Sequence, residues 1–340
     1  MALAMSVSPS LGAGSLSSIF LLDNGFHNRV LQFEIPDYTS PPLEEALIAT
    51  PEDFRDDAVI DKMRDLDAAG NCASSTCFIP FEPATNSTTG ILLYGGGLVD
   101  PRAYAVLAQP LAMEGYTVLI PVFANDLAFG VPCGTGRLEF AQELYPDIDT
   151  WILAGHSFGG VAAMSDAWLA LEDNDTTVGG VVLFAADVEP LVCGTGDYID
   201  YSTMNLPMAA VTATEDGVLN FTRWEENVQF LSNSTLFVSI EGGNHGQFGD
   251  YNDTLRGSIL GQMDGDATIS PQEQWNISVN SILEVILLAT ENNVASPTMS
   301  PTMDGGATPS PTSNGRRTTN KWTTRIVAPM ASLSFILLGL

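Results

Sequence analysis

The sequence predicts an α/β fold, a mostly parallel central sheet with helices on both faces. Three observations carry this. Between about residues 90 and 243, short runs of almost continuous apolar residues recur. Glycines or small polar residues close most of these runs. Segments with helical spacing lie between several of them. A strand buried on both faces reads as an unbroken apolar run, and strands that alternate with helices build parallel sheets.

In chain order, Gly90 to Gly96 (GILLYGG) is the first such strand. Asp100 to Gly115 follows with Tyr104, Leu107 and Leu111 on one helical face. Asp100-Pro101 opens that helix, Gly115 closes it, and Pro110 is expected to kink or split it. Thr117 to Phe123 (TVLIPVF) is the second strand, and a helix from about Arg137 to Leu144 leads to the third, TWILAGHS. Helix returns from Phe158 to about Glu172. VGGVVLFAA, PMAAVTAT and STLFVSIEGG are three more strands, with the helical pattern TRWEENVQFL before the last. The amphipathic segment Gln272 to Thr290 is expected to pack on the sheet. Upstream, VLQFEIPDY and TCFIPFEP read as outer, antiparallel strands, and the acidic stretch between them as a surface excursion.

The chain has 340 residues, with 41 acidic and 12 basic side chains and a net charge of -29. No cluster of Lys and Arg exists to hold phosphates, so a nucleic-acid groove is excluded. No apolar run reaches the length of a full transmembrane helix. Residues 1–28 form a weak, signal-like leader with no Lys or Arg before Arg29. Residues 29–293 are expected to form one domain. Residues 294–315 are a Ser/Thr/Pro-rich stalk whose composition cannot bury a core. In 316–340, a polar spacer from Arg316 to Arg325 precedes an apolar tail from Ile326 to Leu340. The small residues Ser313, Asn314 and Gly315 lie just before the spacer, which is the layout of a GPI-attachment signal. Asn86, Asn174, Asn220, Asn233, Asn252 and Asn276 each begin an N-x-S/T sequon. About two or three are expected by chance. The excess and the tail favour an extracellular or cell-surface protein, possible membrane attachment included, with a cytoplasmic chain as the alternative.

The cysteines are Cys72, Cys77, Cys133 and Cys193. An even count in an exported protein allows two disulfides with three connectivities. Cys72 and Cys77 can close a small loop, while Cys133 and Cys193 share the tetrapeptide CGTG and can tie two loops together. Four unpaired thiols are expected if the chain is cytosolic. No cysteine pair has C-x2-C spacing and only three histidines exist, so no metal site is expected.

Chemistry concentrates in WILAGHSFGG, where Gly155-His156-Ser157-Phe158-Gly159 lies between a strand and a helix. G-x-S-x-G alone matches by chance in roughly one chain of this length in ten, but a chance match at a strand-to-helix turn is much rarer. Such a turn strains the serine backbone, and its glycines let strand and helix approach without Cβ clashes. A serine hydroxyl needs a base. His156 adjoins Ser157 in sequence and is expected to point away from it, and His27 precedes the sheet. His245, in EGGNHGQFG after the last strand, is left. The base needs a carboxylate, and Asp216 in TEDGVLN stands at a strand end, with Glu215 as its competitor. The order Ser, Asp, His is that of α/β hydrolases. Two oxyanion donors are needed, and the candidates are the Phe158 amide and those of Gly96 and Gly97 in LLYGGGL.

Together, YGGGLVDPRAYAVLAQPLAMEGYTVLIP, AGHSFGGVAA, TATEDGV and IEGGNHGQFGDY resemble the α/β-hydrolase superfamily over about Gly90 to Leu288. The resemblance implies the α/β-hydrolase fold and hydrolysis of an ester or related acyl bond through an acyl-serine intermediate, without cofactor. The stalk, the cysteines and the acidic N-terminal region depart from the common pattern. The segment Asp187 to Asn205 lies where many such enzymes carry a lid. Its Asp187, Glu189, Asp197 and Asp200 would make a negative rim, so the expected small-molecule substrate is a neutral ester. Two other readings stay open, acyl transfer to an acceptor other than water and a non-catalytic surface module on the same fold.

Overall fold

The computed structural model describes residues 2–6, 17–23, 29–34, 57–73, 75–128, 134–188, 199–253, 262–295 and 334–336. The chain divides into two compact units, one from Met1–Ile35 with Val294–Gly339, the other from Pro36–Asn293. In the first, Ala2–Ser6 (β1), Ser17–Asp23 (β2) and Arg29–Glu34 (β3) form an antiparallel meander, with Ser334–Ile336 antiparallel to the free side of β1. The segment VLQFE, expected at the edge of the main sheet, therefore pairs with β2 instead. Its residues Val30, Gln32 and Glu34 share one face and Leu31 and Phe33 the other, an alternation suited to a meander rather than a doubly covered sheet. Val294 and Ala295, expected to open the stalk, instead end the helix Pro271–Ala295, and the rest of the stalk and most of the apolar tail lie outside the described residues.

The first described element of the second unit is a helix, Asp57–Ala68 (α1). This corrects the expected surface excursion. Ile60 and Met63 sit one turn apart and are buried, while Asp57, Asp61 and Asp65 are exposed on the rest of the helix. Next come Phe78–Phe81 (β4) and Thr89–Tyr94 (β5), a 3-10 turn over Pro101–Tyr104, and the helix Ala105–Met113 (α2). The break predicted at Pro110 falls instead between Tyr104 and Ala105, and Pro110 lies within α2. Asp100 caps the 3-10 turn, its side chain accepting from the Arg102 amide, so the chain enters as a tight turn before it widens into an α-helix. The rest follows the predicted order. Thr117–Pro121 is β6, Arg137–Leu144 is α3, Thr150–His156 is β7 and Phe158–Glu172 is α4. Val178–Phe184 is β8, Met208–Ala213 is β9, Phe221–Asn227 is α5, Thr235–Ile240 is β10 and Pro271–Ala295 is α6.

The sheet runs β10-β9-β8-β7-β5-β6-β4. All neighbours are parallel except β4, which is antiparallel to β6. Period-2 side-chain alternation divides the core into two layers. Ile91, Leu93, Ile152 and Ala154 face one layer with Ile60, Leu107, Ile282 and Val285, from α1, α2 and α6. Leu92, Tyr94, Trp151 and Leu153 face the other with Leu138, Val161 and Met164, from α3 and α4. Each fully buried aliphatic side chain contributes about 1.5–3 kcal/mol, which makes the sheet a rigid platform. From β5 the chain moves outward to β6, then returns to β7 on the other side of β5. The loops that leave β5 and β7 therefore diverge at a topological switch point, where open α/β sheets bind their ligands.

Candidate active site

Ser157 is the one residue between β7 and α4. Its φ of 52° and ψ of -123° lie outside the regions open to ordinary L residues. The conformation is held from both sides. The Ser157 N–H donates to the Phe184 carbonyl at 2.8 Å, and its own carbonyl accepts from the Gly160 amide at 2.9 Å. The flanking glycines answer a space requirement. A Cβ on Gly155 would stand 2.2 Å from the Gly159 carbonyl oxygen, and one on Gly159 would stand 2.2 Å from the Gly95 carbonyl oxygen. Strand, helix and the loop after β5 thus meet backbone to backbone around the serine.

Asp216 and His245 come from the turns after β9 and β10. His245 Nδ1 and Asp216 Oδ2 are 2.9 Å apart and both side chains are buried. Asp216 Oδ1 accepts from the amides of Val218 and Leu219, each at 2.8 Å. Burial pushes the Asp216 carboxyl up, but the hydrogen bond and charge of His245 and the two amides outweigh it and hold the group below the usual carboxylate range. Glu215, the competitor, is exposed. With Nδ1 committed to Asp216, His245 presents Nε2, which is buried and makes no hydrogen bond to any described residue. The His245 ring packs on that of His156, the residue before Ser157, with centroids 4.6 Å apart. His156, set aside on sequence grounds, lies beside His245 in this site.

On the other side of the elbow, the Gly97 and Phe158 amides make no hydrogen bond to any described residue, and a Cβ on Gly97 would stand 3.4 Å from Phe158 Cβ. Phe158 opens α4, so its N–H belongs to the positive end of the helix dipole. The expectation for Gly96 needs correction. Its amide donates to Tyr104 Oη at 2.7 Å and is already committed. Tyr104 Oη also meets His156 Nδ1 at 2.9 Å. Farther back, the Leu98 N–H donates to the Asp126 carbonyl at 2.8 Å, and Leu98 itself sits at φ 62°. Arg64 of α1 donates to the Asp126 carboxylate at 3.0 and 2.9 Å and to Asp100 at 3.2 Å, bracing both flanks of the glycine loop. Tyr104 left no sequence signal, because a helix-entry tyrosine reads as core.

The expected negative rim is only partly present. Asp187 is buried and ion-paired with Arg223 of α5, so its charge is compensated. Asp200 accepts from the Ser202 amide at 2.9 Å, whereas Glu189 and Asp197 lie outside the described residues. Cys72 and Cys77 form a disulfide with Cα atoms 5.7 Å apart. Cys133 and Cys193 lie outside the described residues. Asn86, Asn174, Asn220, Asn233, Asn252 and Asn276 are all exposed. Among the described residues, no helix is long and apolar enough to cross a membrane and no group of His, Cys, Asp and Glu is placed to hold a metal ion.

Residues 90–276, more than half the chain, match the model of the alpha/beta hydrolase family. The chain belongs to the α/β-hydrolase family. A comparison with curated proteins finds no match. Several solved structures are similar at low identity. An alpha-beta serine hydrolase homologue from Coxiella burnetii is 18% identical, with 60% of this chain and 90% of that one covered and a TM-score of 0.41. Esterase 2 from Thermogutta terrifontis, phosphoramylated by tabun, is 14% identical, with 65% and 91% covered and a TM-score of 0.41. Est1E from Butyrivibrio proteoclasticus is 13% identical, with 62% and 94% covered and a TM-score of 0.41.

Proposed function

We propose that this α/β hydrolase is a serine hydrolase that cleaves a carboxylic ester through an acyl-enzyme. The observation that carries the reading is the strained Ser157 turn beside the buried His245–Asp216 pair. In the forward step His245 Nε2 takes the hydroxyl proton while Ser157 Oγ bonds to the carbonyl carbon. Asp216 keeps the other ring proton on Nδ1 and stabilises the imidazolium. Charge developing on the carbonyl oxygen is met by the Gly97 and Phe158 amides. The imidazolium then protonates the departing alkoxide, and a water deprotonated by His245 repeats the attack to free the acid. With its charge compensated by Arg223, Asp187 admits a neutral ester and repels an anionic one less than a bare carboxylate would.

A fluorophosphonate probe tests this directly. Folded wild-type protein should be labelled at Ser157, and S157A should lose both the label and at least about 10⁴-fold of its activity on p-nitrophenyl esters of graded chain length. An unlabelled, folded wild-type protein would return the chain to the non-catalytic reading. The Cys72–Cys77 disulfide and the exposed sequons support an exported, glycosylated protein held at the cell surface through its C-terminal tail. Release from the producing cell by a phosphatidylinositol-specific phospholipase checks that attachment, and retention after treatment rejects it.

A further inference from the structure

We infer that Asp264, which lies far in sequence from the nucleophile, is the positioning residue that fixes the acid turn against the base loop. The inference rests on the serine-hydrolase reading above. Asp264 Oδ1 accepts from the Gly217 amide at 3.0 Å and from the His245 amide at 3.2 Å. Its Oδ2 accepts from the Gly246 amide at 2.7 Å. One carboxylate therefore grips the residue after Asp216 and His245 itself. The Gly265 amide, at 2.9 Å from Oδ1, closes the turn that presents the group.

Among the described residues, the other bonds that join the two loops through their backbones lie ahead of the reacting residues. The Glu215 amide donates to the Gly243 carbonyl, and the Gly242 amide to Thr214 Oγ1, both at 2.8 Å. Gln274 holds the Asn244 backbone on both sides, at 3.1 and 2.8 Å, but none of its hydrogen bonds reaches the acid turn. Past His245 the base loop is next held by the Asp250 amide, which donates to the Ala103 carbonyl of the 3-10 turn at 2.8 Å, and that bond sets no distance to the acid turn. Asp264 pins the exit side, so the 2.9 Å His245–Asp216 contact is fixed at both ends.

Backbone packing supports the same role. A Cβ on Gly217 would stand 2.5 Å from the Met263 carbonyl oxygen, and one on Gly265 would stand 2.0 Å from the Glu215 carbonyl oxygen. The acid turn and the Met263–Gly265 segment are thus in direct main-chain contact. A carboxylate suits the position because it only accepts. An amide there would turn an NH2 toward at least one backbone N–H.

The test uses the full chain and a p-nitrophenyl ester that the wild type cleaves. D264N should lower kcat about 10- to 100-fold with KM within about 3-fold, and fluorophosphonate labelling should slow in step. The decisive readout is a double-mutant cycle with D216N. If Asp264 acts through the His245–Asp216 pair, D264N in the D216N background should cost less than about 3-fold. An unchanged kcat in folded D264N, or the full loss repeated in the D216N background, overturns the inference. If D264N fails to fold, D264S, which keeps one acceptor, is read in the same way. Failure of both variants to fold makes Asp264 a folding residue and also overturns the inference. Wild-type protein that takes no label overturns the serine-hydrolase reading itself, whereas labelled wild type with unaffected variants overturns this inference alone.

Discussion

The nucleophile elbow and the base loop face one another across the site, yet they are built on different principles. At the elbow, shape comes from contacts among neighbours. Gly155 and Gly159 allow β7, α4 and the loop after β5 to touch, and the register of those elements leaves Ser157 nowhere else to sit. At the base loop, shape comes from acceptors supplied by distant parts of the chain, Asp264 and Gln274. The first kind of construction is dense and intolerant of added atoms. The second admits a methyl group at Gly246, beside the base, but is intolerant of a lost acceptor. Substitutions on each side should therefore fail in opposite ways.

The largest effect that sharpens this contrast belongs to D216N. The change is nearly isosteric and leaves the elbow untouched, but it removes the charge that holds the His245 tautomer. A fall in kcat of about 10³–10⁴-fold is expected, with fluorophosphonate labelling slowed alongside it. It should also cost about 1–3 kcal/mol of stability at pH 7, since a buried hydrogen-bonded charge is lost. The sign with pH follows from the depressed carboxyl. Asp216 is held below its ordinary value in the fold, so its contribution is complete above about pH 4, the unfolded value. That contribution fades as pH falls through the folded value. Urea midpoints should therefore show a wild-type advantage over D216N that is present at pH 5 and narrows below about pH 4. An advantage that widens below about pH 4 would contradict the depressed carboxyl.

Steric intolerance comes next. G159A places a methyl carbon 2.2 Å from the Gly95 carbonyl oxygen, and backbone cannot step aside as a flexible side chain can. We expect a loss of about 3 kcal/mol in urea unfolding. G246A, its counterpart on the base loop, meets nothing closer than Asp253 Cβ at 3.2 Å and should cost under about 1 kcal/mol. Equal losses would show that the two regions are packed alike.

The same contrast explains what the sequence could and could not announce. The strand runs, the helix limits at Arg137, Leu144, Phe158 and Glu172, and the elbow were legible because each rests on local spacing. The approach of Asp216 to His245 was legible through strand ends that a parallel sheet gathers on one edge. Asp264 was not, because backbone amides carry no mark in a sequence and nothing local says which carboxylate will meet them. The helix Asp57–Ala68 was hidden by its acidic outer face. Arg29–Glu34 has the composition of an outer strand, but composition does not say which sheet a strand joins. The need for Gly217 was hidden too, because its lack of a Cβ serves the contact with Met263, a residue far along the chain.

The smallest expected change in kcat comes from Y104F, which places the oxyanion side between these two extremes. Tyr104 is fully buried, and its Oη accepts the Gly96 amide while also meeting His156 Nδ1. Removing the oxygen leaves the ring in place but strands a buried N–H, at a cost of about 1–3 kcal/mol. The glycine loop keeps its other anchors, the Leu98 bond to Asp126 and the Arg64 brace, so the Gly97 amide should move little. A drop in kcat of no more than about 10-fold is therefore expected, with KM near that of the wild type, because one donor is displaced slightly and none is lost. Side-by-side urea titration and steady-state kinetics of Y104F and wild type check both halves of the expectation. If kcat instead falls 100-fold while stability is unchanged, the tyrosine hydroxyl sets the oxyanion geometry directly. The glycine loop would then be built like the base loop, by a single distant partner, rather than like the elbow.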